Sequence, residues 1–216
     1  MDLAASGKLS DTRGIQVSNA GGWHSKPNFF AIDDDAVTSL YEQVKRCVLC
    51  IEGRVDAVCG ASSRLLDLDR VNIEAWFNVS GDGNWNRLHT HCGSAWSAVY
   101  YVDKGVVNCK KGYSGRLVLK PTPHRAEDEW QLKGEEEERF VPCDGAGGGS
   151  YRGEDKCDYY DLEPEDGALI VFPSWLHHAV LPYTFAPKVG GEERERVSIA
   201  MNVNSLNLVG PKMDSK

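Results

Sequence analysis

The first regular pattern along the chain is helical. Val37, Leu40, Tyr41, Val44, Cys47, Val48, Ile51, Val55 and Val58 recur at steps that place them on one stripe of a helix. Asp33-Asp34-Asp35 precedes the stripe and offers an N-cap with negative charge in the first turn. The pattern predicts an amphipathic supporting helix over 33–60, bent or broken at Gly53, with its apolar face on the rest of the fold. Residues 1–30 show little periodicity, and Gly21-Gly22-Trp23 with Pro27 predicts an extended arm.

After Gly60 the period shortens to two. Residues 71–79 carry Ile73, Ala75, Trp76, Phe77 and Val79, which suit a strand, and Gly81-Asp82-Gly83-Asn84 reads as the turn behind it. Further strands are predicted at 89–91, 97–102, 116–119, 168–172, 178–181 and 196–203, with Pro164-Glu165-Asp166-Gly167 turning the chain into one of them. A helix followed by short strands and turns predicts an α+β chain, mainly β, built as a sandwich or barrel. The irregular stretch 103–164 holds an acidic run at 135–138 and a glycine-rich run at 145–149. It reads as a loop-rich insertion, either solvated or forming a lid over a site mouth.

A length of 216 residues fits one domain, taken as 1–216 with a core over 71–205. No apolar run approaches membrane-spanning length, and Met1-Asp2-Leu3-Ala4-Ala5 lacks a basic region followed by an apolar one, so neither membrane nor secretory signal is expected. Seven irregularly spaced cysteines then read as reduced thiols in a cytoplasmic setting. Cys47 and Cys50 read as two core thiols one helical turn apart, because neither a redox turn nor a second ligand pair accompanies them. A net charge of −8 argues against a nucleic-acid groove, and Lys110-Lys111 is no cluster of phosphate contacts. A small molecule or a protein side chain is the expected substrate.

Chemistry concentrates in the six histidines. On a strand His89 and His91 point the same way while Thr90 points oppositely, so two imidazoles can share a metal. His178 is the third ligand candidate, after Phe172-Pro173-Ser174-Trp175, where Pro173 and Trp175 fix the turn and wall the site. His177 faces the other side and reads as a surface or supporting residue. The last strand also alternates: Val197, Ile199, Met201 and Val203 form a greasy face, and Arg196, Ser198, Ala200 and Asn202 a small or polar one. Small residues beside one Arg leave room for a carboxylate-bearing ligand, provided that face is interior; the alternative is an edge strand with its polar face in water. Trp85, Trp96, Trp130 and Trp175 read as core or as an aromatic wall.

The segments 86–102, 165–182 and 196–202 together resemble the Fe(II)- and 2-oxoglutarate-dependent oxygenases, in a branch with His-x-His, Phe-Pro-Ser-Trp-Leu-x-His and Arg-x-Ser. The resemblance implies a double-stranded β-helix (jelly-roll, cupin-like) core behind an N-terminal helix. It implies Fe(II) held by His89, His91 and His178, the last chosen by the Leu-x-His spacing. It further implies that Arg196, helped by Ser198 and Tyr101, binds the distal carboxylate of 2-oxoglutarate. The implied activity is a hydroxylase coupling decarboxylation of 2-oxoglutarate to succinate with oxidation of a substrate. Most of the superfamily places Asp or Glu where this chain has His91, which leaves the metal one unit more positive. Two other functions fit the residues: a three-histidine cupin-like dioxygenase with no oxo acid, and a non-catalytic metal- or ligand-binding jelly-roll module.

Overall fold

The computed structural model describes residues 3–59, 71–106, 114–120, 159–184 and 194–205. The elements are α1 (Leu3–Ser10), β1 (Asn19–Ala20), β2 (Trp23–His24), a 3-10 turn (Phe29–Ala31), α2 (Asp35–Cys59), β3 (Val71–Ser80), β4 (Trp85–His89), β5 (Trp96–Asp103), β6 (Leu117–Lys120), β7 (Tyr160–Leu162), β8 (Leu169–Pro173), β9 (His177–Val180) and β10 (Arg196–Ser205). They form two five-stranded antiparallel sheets, ordered β1-β4-β9-β6-β7 and β2-β3-β10-β5-β8. The two sheets share one cavity, lined from both sides. This is the expected jelly-roll core with a supporting N-terminal helix. Trp130, the runs at 135–138 and 145–149, Lys110, Lys111 and the side chains of Val55 and Val58 lie outside the described residues.

Alternation divides the larger sheet into two working faces. On β3, Ile73, Ala75, Phe77 and Val79 enter the core, while Trp76, Asn78 and Ser80 line the cavity. On β10, Ile199 and Val203 enter that core, while Arg196, Ser198 and Ala200 line the cavity. The small, polar face of β10 is therefore interior, and the edge-strand alternative fails because β10 sits between β3 and β5.

Helix α2 seals the core face. Asp34 Oδ1 accepts from the Ala36 and Val37 amides at 2.8 and 3.3 Å, the N-cap the acidic triplet predicts. Val37, Leu40, Val44 and Val48 are buried against the sheet. The helix runs unbroken through Gly53. An interior glycine costs about 1 kcal/mol relative to alanine; the packed face outweighs it, including Glu52, which is fully buried and accepts from Trp96 Nε1 at 2.5 Å.

Three expectations change. The arm is not extended throughout, since it contains α1 and the strands β1 and β2, which add one strand to the edge of each sheet. Cys50 is exposed and Cys47 half-buried, so the pair lies at the edge of the helical stripe rather than in the core. Trp175 is 61% exposed in the turn before β9 and walls nothing.

Candidate metal centre

Strand pairing brings the first two histidines together. His89, at the end of β4, lies directly opposite His178 on the neighbouring β9, and opposed residues on antiparallel strands are close enough for their side chains to share a ligand. Their ring centroids are 4.2 Å apart. His91 arrives differently from the same-strand geometry that His-x-His predicts. It lies past the end of β4, in a turn where its amide donates to the Ser174 carbonyl at 3.0 Å and its carbonyl accepts from the Ser94 amide at 3.1 Å. Its ring sits 4.9 Å from His89 and 5.0 Å from His178. One potential donor atom from each of the three lies within 4.8 Å of the others.

Hydrogen bonds select the donor atoms. The Nδ1 of His89 faces the Arg87 carbonyl at 2.6 Å, and that of His178 faces the Leu176 carbonyl at 2.9 Å. A carbonyl only accepts, so each Nδ1 carries the proton and each Nε2 keeps its lone pair for a metal. His177 belongs to no cluster of metal-ligating side chains among the described residues.

Burial keeps the triad neutral. It depresses His91 to about 4 and His178 to about 3, with repulsion from His89 adding to both. Burial also lowers His89. Neutral imidazole is the form that binds metal. In the unfolded chain these groups take up protons below their ordinary value of 6.5, while in the folded apoprotein His91 and His178 do not until far lower pH. Unfolding therefore binds protons across that window, and apoprotein stability falls as pH drops from 6.5 toward 4. Urea midpoints at successive pH values check this: the slope should flatten in His91→Gln, and an unchanged slope would contradict it.

A second polar group shares the cavity. Arg196 is 4% exposed, its guanidinium lies 5.1 Å from the centroid of the buried Tyr101 ring, and its Nη1 is buried without a hydrogen-bond partner. Ser198 and Tyr101 line the same space. Among the described residues the lining contains no Asp or Glu, so nothing in the wall neutralises this cation. Buried guanidinium donors are normally paired, and an orphan of this kind marks a site built for an anion.

A family model described as "Putative 2OG-Fe(II) oxygenase" matches residues 74–202, more than half of the chain. The chain belongs to this family. The chain is also similar to solved structures. A Pseudomonas putida prolyl-4-hydroxylase is 18% identical with a TM-score of 0.48, covering 94% of this chain and 84% of that one. A 2OG-Fe(II) oxygenase family protein from Burkholderia pseudomallei is 12% identical with a TM-score of 0.39, covering 71% and 55%. A Bordetella pertussis cupin domain is 13% identical with a TM-score of 0.28, covering 63% and 83%. No curated protein matches the chain.

The histidine triad of this family member fits a divalent metal by its nitrogen donors, and the orphaned Arg196 donor fits the carboxylate of an oxo acid. Other lining residues were not foreseen in the sequence. Trp76 and Phe172 wall the triad: Trp76 lies 5.9 Å from His91 and Phe172 lies 4.8 Å from His178. Asn78, Ser80 and Asn86 add polar atoms. Strand alternation names Trp76, Asn78 and Ser80 as one face of β3 but not as the interior one. Trp85 and Trp96 line no part of this cavity.

Gly115 supports Arg196 from behind. It adopts φ +64, and a Cβ there would overlap Arg196 Nη1 and approach Tyr183 Cδ2 to 3.2 Å. Gly115→Ala is expected to lose about 1–2 kcal/mol of stability from the left-handed backbone alone and to displace the guanidinium. Chemical denaturation and 2-oxoglutarate titration should both report the change; unaltered affinity would show that Arg196 is not held there.

Proposed function

We propose that the protein is a hydroxylase dependent on Fe(II) and 2-oxoglutarate, coupling decarboxylation of the oxo acid to succinate with oxidation of a small molecule or protein side chain. One observation carries the reading: a buried cation with an unpaired donor shares a cavity with three convergent neutral imidazoles, and no acidic side chain lines it among the described residues. A dicarboxylate suits both ends of such a space, with one carboxylate for the metal and the other for Arg196.

His89, His91 and His178 would hold the iron, the first and last through Nε2. Arg196 would clamp the distal carboxylate, with the Ser198 hydroxyl as a neighbouring donor. Tyr101, across from Ser198 in the strand register, packs its ring under the guanidinium and has a phenol available to the same carboxylate. Val99, Leu117, Phe172 and Val180 exclude water around the reacting centre, which strengthens each of these electrostatic contacts. When bound, iron and oxo acid supply the oxidative chemistry; the protein supplies ligands, an anchor and a dry wall. No described helix is long and apolar enough to cross a membrane, and a cytoplasmic setting fits the free thiols of Cys47, Cys50 and Cys92.

The third histidine favours a second reading, a cupin-like dioxygenase without oxo acid. That enzyme would have no use for the orphaned Arg196. Oxygen-dependent release of succinate from 2-oxoglutarate by the Fe(II)-loaded protein tests the choice. Succinate formed with Fe(II) and not with Zn(II) supports the hydroxylase; its absence under every loading would remove it.

A further inference from the structure

The three ligands are not supported equally. His89 and His178 lie on strands, and each is oriented through Nδ1 by a backbone carbonyl. His91 lies in a turn, and its imidazole has no such carbonyl partner among the described residues. Apart from the other two ligands, the ring packed against it is Trp76, at 5.9 Å and tilted 49°. Trp76 is in turn covered by His24, stacked at 5.3 Å and 13°.

His24 is itself fixed rigidly. It is 6% exposed, lies on β2 opposite Asn78, and its Nδ1 donates to the Ser25 carbonyl at 2.7 Å. The next residue continues the attachment: the Ser25 amide donates to the Phe77 carbonyl at 3.0 Å, and the Phe77 amide donates to Ser25 Oγ at 2.9 Å. Two hydrogen bonds at Phe77, the residue after Trp76 in β3, thus tie the arm to the strand, and the His24 carbonyl accepts from the Ile15 amide at 2.9 Å. The arm ends in a flat ring pressed on the flat face of Trp76.

We propose that the His24–Trp76 stack is the positioning element for His91, so that the N-terminal arm, outside the family-matched residues 74–202, sets how tightly the third ligand engages the metal. The inference rests on the triad being a metal centre. Trp76 contacts both His91 and His24, and a ligand without its own hydrogen-bonded orienter depends on packing to hold its plane. Removing a supporting partner of a metal ligand lowers affinity by about ten- to a hundredfold. His24 is a positioning residue, because it reaches the metal only through another side chain.

The test titrates full-length apoprotein with Co(II) under nitrogen, reading the visible ligand-field bands and the affinity, alongside the apoprotein melting temperature. His24→Ala is expected to weaken Co(II) binding about tenfold and to alter the bands. His24→Phe, which keeps a ring on Trp76, should bind like the wild type, and Trp76→Leu should lose at least as much as His24→Ala. A His24→Ala variant that melts lower but binds Co(II) with wild-type affinity and spectrum would overturn the proposal, as would equal losses in His24→Ala and His24→Phe. A wild-type protein that gives no Co(II) bands would sink the metal-centre reading and this proposal with it; bands in the wild type that are lost on removal of His178 keep the two separable.

Discussion

Replacing Arg196 by methionine is expected to weaken 2-oxoglutarate binding by about a hundredfold or more, from the loss of two charge-assisted hydrogen bonds worth ~3 kcal/mol together at the low end. Metal binding should be unaffected, because the triad takes no contact from this side chain among the described residues. The ligand-free protein should not lose stability. Among the described residues, Arg196 is a buried cation with an unpaired Nη1 and no acid in the cavity wall, and removing an uncompensated buried charge relieves a desolvation penalty. The lost contact with the Tyr101 ring, 5.1 Å away, is small by comparison. The signature is a large rise in the apparent KM for 2-oxoglutarate with unchanged metal affinity and an unchanged or higher melting temperature. Wild-type succinate release by Arg196→Met would contradict the assignment.

His178→Ala is expected to abolish stoichiometric metal binding and to reduce turnover to background. Two remaining imidazoles are a poor site for a divalent ion in a wall that, among the described residues, offers no carboxylate. The same change removes a ring that donates to the Leu176 carbonyl at 2.9 Å and packs edge-on to Phe172 at 4.8 Å. The apoprotein should therefore also lose about 1–3 kcal/mol. His177→Ala provides the control, since its neighbour and not itself enters the triad. Metal analysis of the two purified variants separates them: His177→Ala retains the ion, and retention by His178→Ala would remove that histidine from the ligand set.

Much of this site was legible in the sequence. The alternation of β10 isolated Arg196 and Ser198 on one face, and only the sheet order, with β10 between β3 and β5, decides that this face is interior. His89 and His178 follow from pairing of β4 with β9, a register that local pattern does not encode. His91 reaches the space beside His89 by a different route from the one alternation predicts. Period-two alternation puts it beside His89 on one strand, but the strand ends at His89 and a turn anchored on Ser174 returns the ring to the same space. Trp175 was expected to wall the site and is exposed, because β9 begins two residues later and leaves it in the turn. Helix α1 leaves little pattern in the sequence, because its stripe is weak and includes Gly7. The His24–Trp76 contact was beyond reach, since ring stacking between distant segments leaves no periodic trace.

The proposed function requires one cavity to hold a metal at the triad and a dicarboxylate between that metal and Arg196. Adding Fe(II) and then 2-oxoglutarate to the apoprotein without oxygen tests it most directly, by visible absorption. A metal-to-oxo-acid charge-transfer band is predicted in the wild-type protein, absent in His178→Ala and shifted to much higher 2-oxoglutarate concentration in Arg196→Met. No band in the wild type at saturating iron and oxo acid, or a band indifferent to both substitutions, would contradict the account.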